Sequence, residues 1–253
     1  MRMHVLSGGR LRMRRSIFYP GAARDEQVEL PVSCFLLRHP QGNVLFDAGC
    51  HPQTATDAQA RWGGLARLMV PLHGPHDNPM EGLSRLGLAP DDVDLVVCSH
   101  LHPDHCGCNQ FFRRATVLCH RAELEAARTP GAEGKGYLAV DWDQPLPVDA
   151  VDGDRDLFGD GRLVLLRMPG HTPGMLAALV TLERSGRFLL ASDTVSVRAS
   201  LDEDYAPRNT WNAETLLRSL AEIRRLEAAG ATVICGHDAA QWETLRKGEA
   251  FYE

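Results

Sequence analysis

Long apolar runs are missing from this chain. No stretch approaches the roughly 20 residues needed to cross a bilayer, and the arginine-rich start is not followed by the apolar core of an export signal. The expectation is a cytoplasmic protein with no membrane partner. Positive charge is also short: 27 Lys and Arg against 33 Asp and Glu leave a formal net charge of −6. A surface that tracks phosphates needs a basic excess, so nucleic acid is excluded as a general partner. The one basic cluster, Arg10, Arg12, Arg14 and Arg15 in "GGRLRMRR", reads as a solvated strand edge or loop rather than a binding patch. Seven cysteines cannot all pair, and Cys34, Cys98, Cys119 and Cys235 sit in apolar runs where a free thiol behaves as a small buried hydrophobe. That usage agrees with a reducing compartment.

With 253 residues, 44% of them hydrophobic and 24% charged, the chain can bury a sizeable core and reads as one domain over 1–253. Short apolar runs bounded by Gly, Pro and Asp predict strands over 31–38, 43–49, 93–100 and 115–120, then over 162–170, 175–182, 187–193 and 231–238. The clearest helix runs from Asn212 as N-cap to Gly230 as C-cap, with Leu216, Leu217, Leu220, Ile223 and Leu226 at helical spacing. A shorter one falls over 121–128. Residues 51–80 are irregular, carry an apolar patch at Leu65, Leu68, Met69 and Val70, and read either as a lid or substrate loop or as a surface excursion with one short packed helix.

The sharpest signal is "CSHLHPDHCG", which puts His100, His102, Asp104 and His105 into six positions directly after an apolar run. Three more apolar runs end the same way, with His171 after "LLRMPG", Asp193 after "RFLLAS" and His237 after "TVICG". Strands lying side by side would gather all seven groups on one rim. Carboxylates would repel there and histidines would lose water without partners, a cost that cations relieve. A nitrogen-rich set with carboxylates suits zinc first, with iron, manganese or cobalt as alternatives. Seven ligands oversupply one ion, whereas two ions sharing a bridging carboxylate use them all. The other six histidines lack partners at ligand spacing and read as surface or core residues, with His120 a candidate support behind the ligands. Cys106 and Cys108 flank the motif and read as packing residues.

The stretches "SHLHPDHCG", "PGHTPG", "ASD" and "CGHD" resemble the metallo-β-lactamase superfamily from about residue 30 to the C-terminus, and within it most resemble the N-acyl homoserine lactonases and the related pyridoxolactonase. The resemblance implies an αββα sandwich of two mixed β-sheets flanked by helices. It implies that His100, His102 and His171 hold one metal, that Asp104, His105 and His237 hold the other, and that Asp193 bridges them. Asp47 in "FDAG" would support the ligands from behind. One departure stands out: the tyrosine usual three residues after the bridging aspartate is Ser196 here, and Tyr205 is a candidate to reach the pocket from another loop.

The activity so implied is opening of a lactone ester by a hydroxide held between two Zn²⁺ ions, with Asp104 relaying the proton to the leaving oxygen. N-acyl homoserine lactones are the first expected substrates, with Leu65, Leu68, Met69, Ser196 and Tyr205 as substrate contacts. Another small lactone or ester such as 4-pyridoxolactone is the alternative. A metal-binding protein without turnover and an iron-dependent redox protein are the readings from other classes. The expected partner is a small-molecule lactone, and a homodimer is expected by analogy with such lactonases.

Overall fold

Two sheets form because the apolar residues of the longer strands alternate between two buried faces. In the computed structural model, which describes residues 1–253, the first half of the chain supplies β1 (Arg2–Arg14), β2 (Gln27–His39), β3 (Gly42–Phe46), α1 (Thr54–Trp62), β4 (Val70–Pro71), α2 (Pro79–Arg85), β5 (Leu95–Val97), α3 (Pro103–Cys106), β6 (Thr116–His120), α4 (Arg121–Ala127) and α5 (Ala139–Trp142). The second half supplies β7 (Val148–Val151), β8 (Arg155–Asp156), β9 (Leu163–Arg167), β10 (Leu176–Leu182), β11 (Gly186–Ser192), α6 (Arg198–Asp202), α7 (Ala213–Ala228), β12 (Ala231–Cys235), α8 (Ala239–Thr244) and β13 (Phe251–Tyr252).

The first sheet has the order β13-β1-β2-β3-β5-β6-β7, with β4 also paired to β1; the second has the order β12-β11-β10-β9-β8. Both are mixed. Strands β3, β5, β6 and β7 pair in parallel and the rest of the first sheet is antiparallel, while β11 and β12 are the one parallel pair of the second. Phe35, Leu37, Val44 and Phe46 of the first sheet meet Leu165, Leu176, Ala178 and Leu190 of the second in a core between the sheets. The residues one place along, Leu36, Leu45, Val96 and Cys98, face outward and pack with Leu83, Phe112 and Leu124. On the far side Ala177, Leu189 and Val233 pack against Leu216, Leu220, Ile223 and Leu226 of α7. The result is an αββα sandwich.

The helix over 212–230 keeps its expected ends: the Asn212 side chain accepts from Thr215 N, and Gly230 follows the last turn at φ 93°. No helix is long and apolar enough to cross a membrane. Three features depart from the sequence expectation. Arg10, Arg12 and Arg14 of the basic cluster lie on a long strand, β1, paired on both sides there with β2 and β4, whose Leu11 is buried while Arg10 and Arg12 point out and pair with Glu29. Residues 51–80 hold α1, a 3-10 turn over Gly63–Arg67 and β4, more regular structure than the single short helix expected of a surface excursion there. Strands β7, β8 and β13 are two to four residues long, too short to show any alternation.

Candidate metal centre

The seven expected groups collect where strands of both sheets end. His100 follows β5 beside its parallel neighbour β3, which ends at the supporting Asp47; Asp193 follows β11 and His237 follows its parallel neighbour β12, so that pairing brings two of the seven side by side. His171 sits in the loop between β9 and β10, and Asp104 and His105 lie in the single turn of α3. The chain reaches these positions under strain. Asp47 at φ 60° and Ser192 at φ 45° are two of only three residues other than glycine with positive φ, and strain of this kind tends to cluster at functional sites. Gly236 is needed because a side chain there would begin 2.7 Å from Asp193 Oδ1.

The donor atoms form two overlapping groups. His100 Nε2 lies 3.0 Å and His171 Nε2 3.1 Å from His102 Nδ1. His105 Nε2 and His237 Nε2 lie 3.6 and 3.7 Å from Asp104 Oδ2. Asp193 reaches into both, with Oδ1 2.9 Å from His237 Nε2 and 3.5 Å from His105 Nε2, and Oδ2 3.5 Å from His171 Nε2.

The outward edges of four imidazoles are committed elsewhere. His105 Nδ1 donates to Asp47 Oδ2 at 2.8 Å, His237 Nδ1 to the Pro31 carbonyl at 2.8 Å and His102 Nε2 to the Lys135 carbonyl at 3.1 Å. His100 Nδ1 faces Ser99 Oγ at 3.0 Å, and Ser99 in turn donates to Asp47. With its proton on that side, the neutral form of each ring presents a lone pair to the centre, and His100 and His102 are held toward that form by burial. Lone pairs about 3 Å apart repel, and His105 Nε2 is buried without a hydrogen-bond partner. A buried, unsatisfied polar atom costs on the order of 1–3 kcal/mol. Cations resolve both problems, so the donor set fits a metal pair.

The electrostatics follow from burial and crowding. Burial holds His100 well below the usual imidazole range and His171 down at about 3, so both stay neutral ligands. Burial would also depress His105, but the Asp104 and Asp47 carboxylates overcome it and push the ring up to about 10. Asp193 also resists burial, because His237 and His171 hold it well below the carboxylate range. Asp47 joins the strand ends, accepting Ser99 N at 2.7 Å, Ser99 Oγ at 2.9 Å and Ser192 Oγ at 3.2 Å besides His105.

A cavity of about 800 Å³ opens over His102 and His171, walled by Met13, Ile17, Leu65, Leu68, Met69, Pro103 and Tyr137 and completed by Thr172, Arg208, Asn209, Thr210 and Trp211. Leu65, Leu68 and Met69 are therefore at the cavity, whereas Ser196 and Tyr205 are not. Ser196 is 1% exposed, because the turn over Asp193–Val195 folds its hydroxyl back toward the Asp193 carbonyl at 3.5 Å. Tyr205 follows the left-handed Asp204 at φ 58° and its backbone ties to Ser200, away from the cavity wall. His120 caps α4 by accepting Ala122 N at 3.1 Å and does not support the ligands. Cys106 and Cys108 are fully buried in the outer core. Tyr137 and Glu123 were not anticipated; in sequence they sit in an unremarked loop and an ordinary short helix. A separate cavity of about 740 Å³ between β1, α2 and α8 contains none of the metal-centre groups.

The fold and these seven groups define a protein of the metallo-beta-lactamase superfamily, and the model of that superfamily matches residues 28–237: the chain belongs to it. It is 34% identical to an N-acyl homoserine lactonase of Azorhizobium caulinodans over 100% of this chain and 99% of the relative, and 33% identical to one of Agrobacterium fabrum over 100% and 98%. It also shares its fold with an N-acyl homoserine lactone hydrolase solved with N-hexanoyl-L-homoserine bound at its catalytic metal center, at a TM-score of 0.90, 24% identity and coverage of 99% and 98%. The family and the two overlapping donor groups give this chain a dinuclear divalent metal site.

Proposed function

We propose that this protein is a metal-dependent lactonase that opens the ring of N-acyl homoserine lactones and so degrades quorum signals. The observation that carries the reading is the cluster of metal-donor groups beside a half-apolar cavity of about 800 Å³ that its His102 and His171 line, in a chain one-third identical over its whole length to proteins of that activity. His100, His102 and His171 would hold one cation, Asp104, His105 and His237 the other, and Asp193 would bridge them through its two oxygens. Zinc is the proposed metal, because nitrogen donors outnumber carboxylates five to two.

When bound, two such cations supply a water acidic enough to ionise near neutral pH and positive charge for an oxygen that turns negative. The protein's own groups do the rest. Leu65, Leu68 and Met69 hold an acyl chain along one wall of the cavity and exclude water from it. Asp104, 5% exposed and unshielded by any donor within the protein, carries the proton to the ring oxygen as the ester opens. No serine or cysteine nucleophile is required. A cytoplasmic location is part of the proposal, supported by seven free, buried thiols.

One observation favours a second substrate. With Ser196 folded back into its turn, no phenol stands three residues beyond Asp193 to bond a lactone carbonyl, which suits a different small lactone such as 4-pyridoxolactone. The test is proton release by zinc-loaded protein on homoserine lactones of short and long acyl chain, 4-pyridoxolactone and an aryl ester. The reading expects the homoserine series to turn over fastest. Turnover confined to the other substrates would overturn the substrate and leave the hydrolytic metal centre standing.

A further inference from the structure

The three histidines of the first cation position come from two separate loops. His100 and His102 follow β5 of the first sheet, and His171 precedes β10 of the second. Their relative position must be held to a few tenths of an ångström for Nε2, Nδ1 and Nε2 to meet on one ion. At the base of the loops, Leu176 N donates to the Ser99 carbonyl at 2.8 Å, which aligns the strand ends. Nearer the ligands, one side chain spans the gap.

Glu123, fully buried in the first turn of α4, accepts Leu101 N at 3.1 Å with Oε1 and Gly174 N at 3.0 Å with Oε2. Leu101 stands between His100 and His102, and Gly174 is three residues beyond His171. One rigid carboxylate therefore fixes both loops. The approach is close enough to dictate sequence, since a side chain on Gly174 would begin 2.3 Å from Glu123 N. The Thr172 hydroxyl and the Tyr137 phenol lie beside the same carboxylate, and the Tyr137 ring packs 5.3 Å from the His102 ring. Nothing comparable joins Glu123 to Asp104, His105 or His237, whose outward partners are Asp47 and Pro31.

We infer that Glu123 is a positioning residue for the first cation alone: by clamping Leu101 N and Gly174 N it sets the spacing of His100, His102 and His171. The inference rests on the metal-centre reading above. A carboxylate is the one side chain of this length that offers two acceptors at this separation with no donor. Glu123→Gln keeps the volume and turns one acceptor into an N–H donor facing a backbone N–H, so one of the two ties is lost. Partners that orient ligands in this way are worth about 10- to 100-fold in metal affinity.

The experiment is titration of metal-free full-length protein with Zn²⁺ by calorimetry and with Co²⁺ by visible absorption, on wild type and Glu123→Gln. The wild type is expected to take up two cations per chain. Glu123→Gln is expected to bind one as the wild type does and the other at least ten-fold more weakly, with the Co²⁺ band of the three-histidine position selectively reduced. Glu123→Asp, one methylene short, reaches one N–H only and gives the same pattern if the glutamine variant does not fold. Two unweakened binding steps, or equal weakening of both, would overturn the positioning role. A wild type that binds no cation would instead overturn the metal centre itself.

Discussion

Asp104 and Asp193 are both buried carboxylates on the same rim, and the proposed function gives them different work. Asp193 is 6% exposed and faces histidines on both oxygens, so it is fully engaged in holding the centre together. Asp104 has His105 and His237 only at 3.6 and 3.7 Å and no hydrogen-bond donor, which is the basis for proposing it as the group that passes a proton. Asp104→Asn preserves the shape and removes that capacity, and proton transfer by a placed side chain contributes about 10²–10⁴-fold. The expected result is a fall in kcat of about that size with cations still bound, read from initial rates and metal content on the same sample. Unchanged rates would refute the assigned role. At this scale the seven clustered donor groups were legible because four fall within six positions and three more close apolar runs. Glu123 was not legible, because a glutamate in "RAELEAAR" looks like any solvated helical glutamate until the fold brings two loops onto it. Ser196 and Tyr205 were misplaced for the opposite reason: distance along the chain from Asp193 says nothing about whether a turn folds the side chain inward.

Among the elements, α1 holds the side of the cavity wall formed by Leu65, Leu68 and Met69. It carries Trp62 into the cluster with Leu11, Val32 and Met69 and leads into Leu65 and Leu68. Its anchor is Arg61, whose Nε donates to Asp141 Oδ1 at 2.8 Å and whose Nη2 donates to the Val140 carbonyl at 2.9 Å. The two side chains are 8% and 0% exposed, and burial pushes the Asp141 carboxyl up to about 6 even beside Arg61. Removing one partner of such a pair strands a buried charge and costs about 3–5 kcal/mol, whereas replacing both with apolar residues can be nearly neutral. Arg61→Met should therefore lose about 3 kcal/mol in urea denaturation and raise KM more than it lowers kcat. Adding Asp141→Leu should recover most of the stability, and a loss below about 1 kcal/mol for Arg61→Met would show that the anchor is unimportant. α7 was readable from its helical spacing and most inner strands from their apolar runs, whereas β1, a 13-residue strand interrupted by Gly8, Gly9 and four arginine positions nearby, was not. The organisation of 51–80 was not, because its order comes from tertiary ties such as Arg61 to Asp141 and Thr54 to His73 rather than from a local pattern.

Across the whole molecule, the two sheets matter chiefly as a means of bringing strand ends together. β3 and β5 deliver Asp47 and His100, β11 and β12 deliver Asp193 and His237, and the core between the sheets fixes one pair against the other. The rim so formed carries repelling lone pairs and a buried nitrogen, His105 Nε2, without a partner, and bound cations relieve both. The central claim is that lactone opening depends on that cation pair. The most direct measurement is proton release from an N-acyl homoserine lactone as a function of Zn²⁺ bound per chain, from chelator-stripped protein up to two equivalents. Negligible turnover in the stripped protein, rising to its full value as the second equivalent binds, is the predicted result. Ring opening at an undiminished rate after the metal has been removed would contradict it.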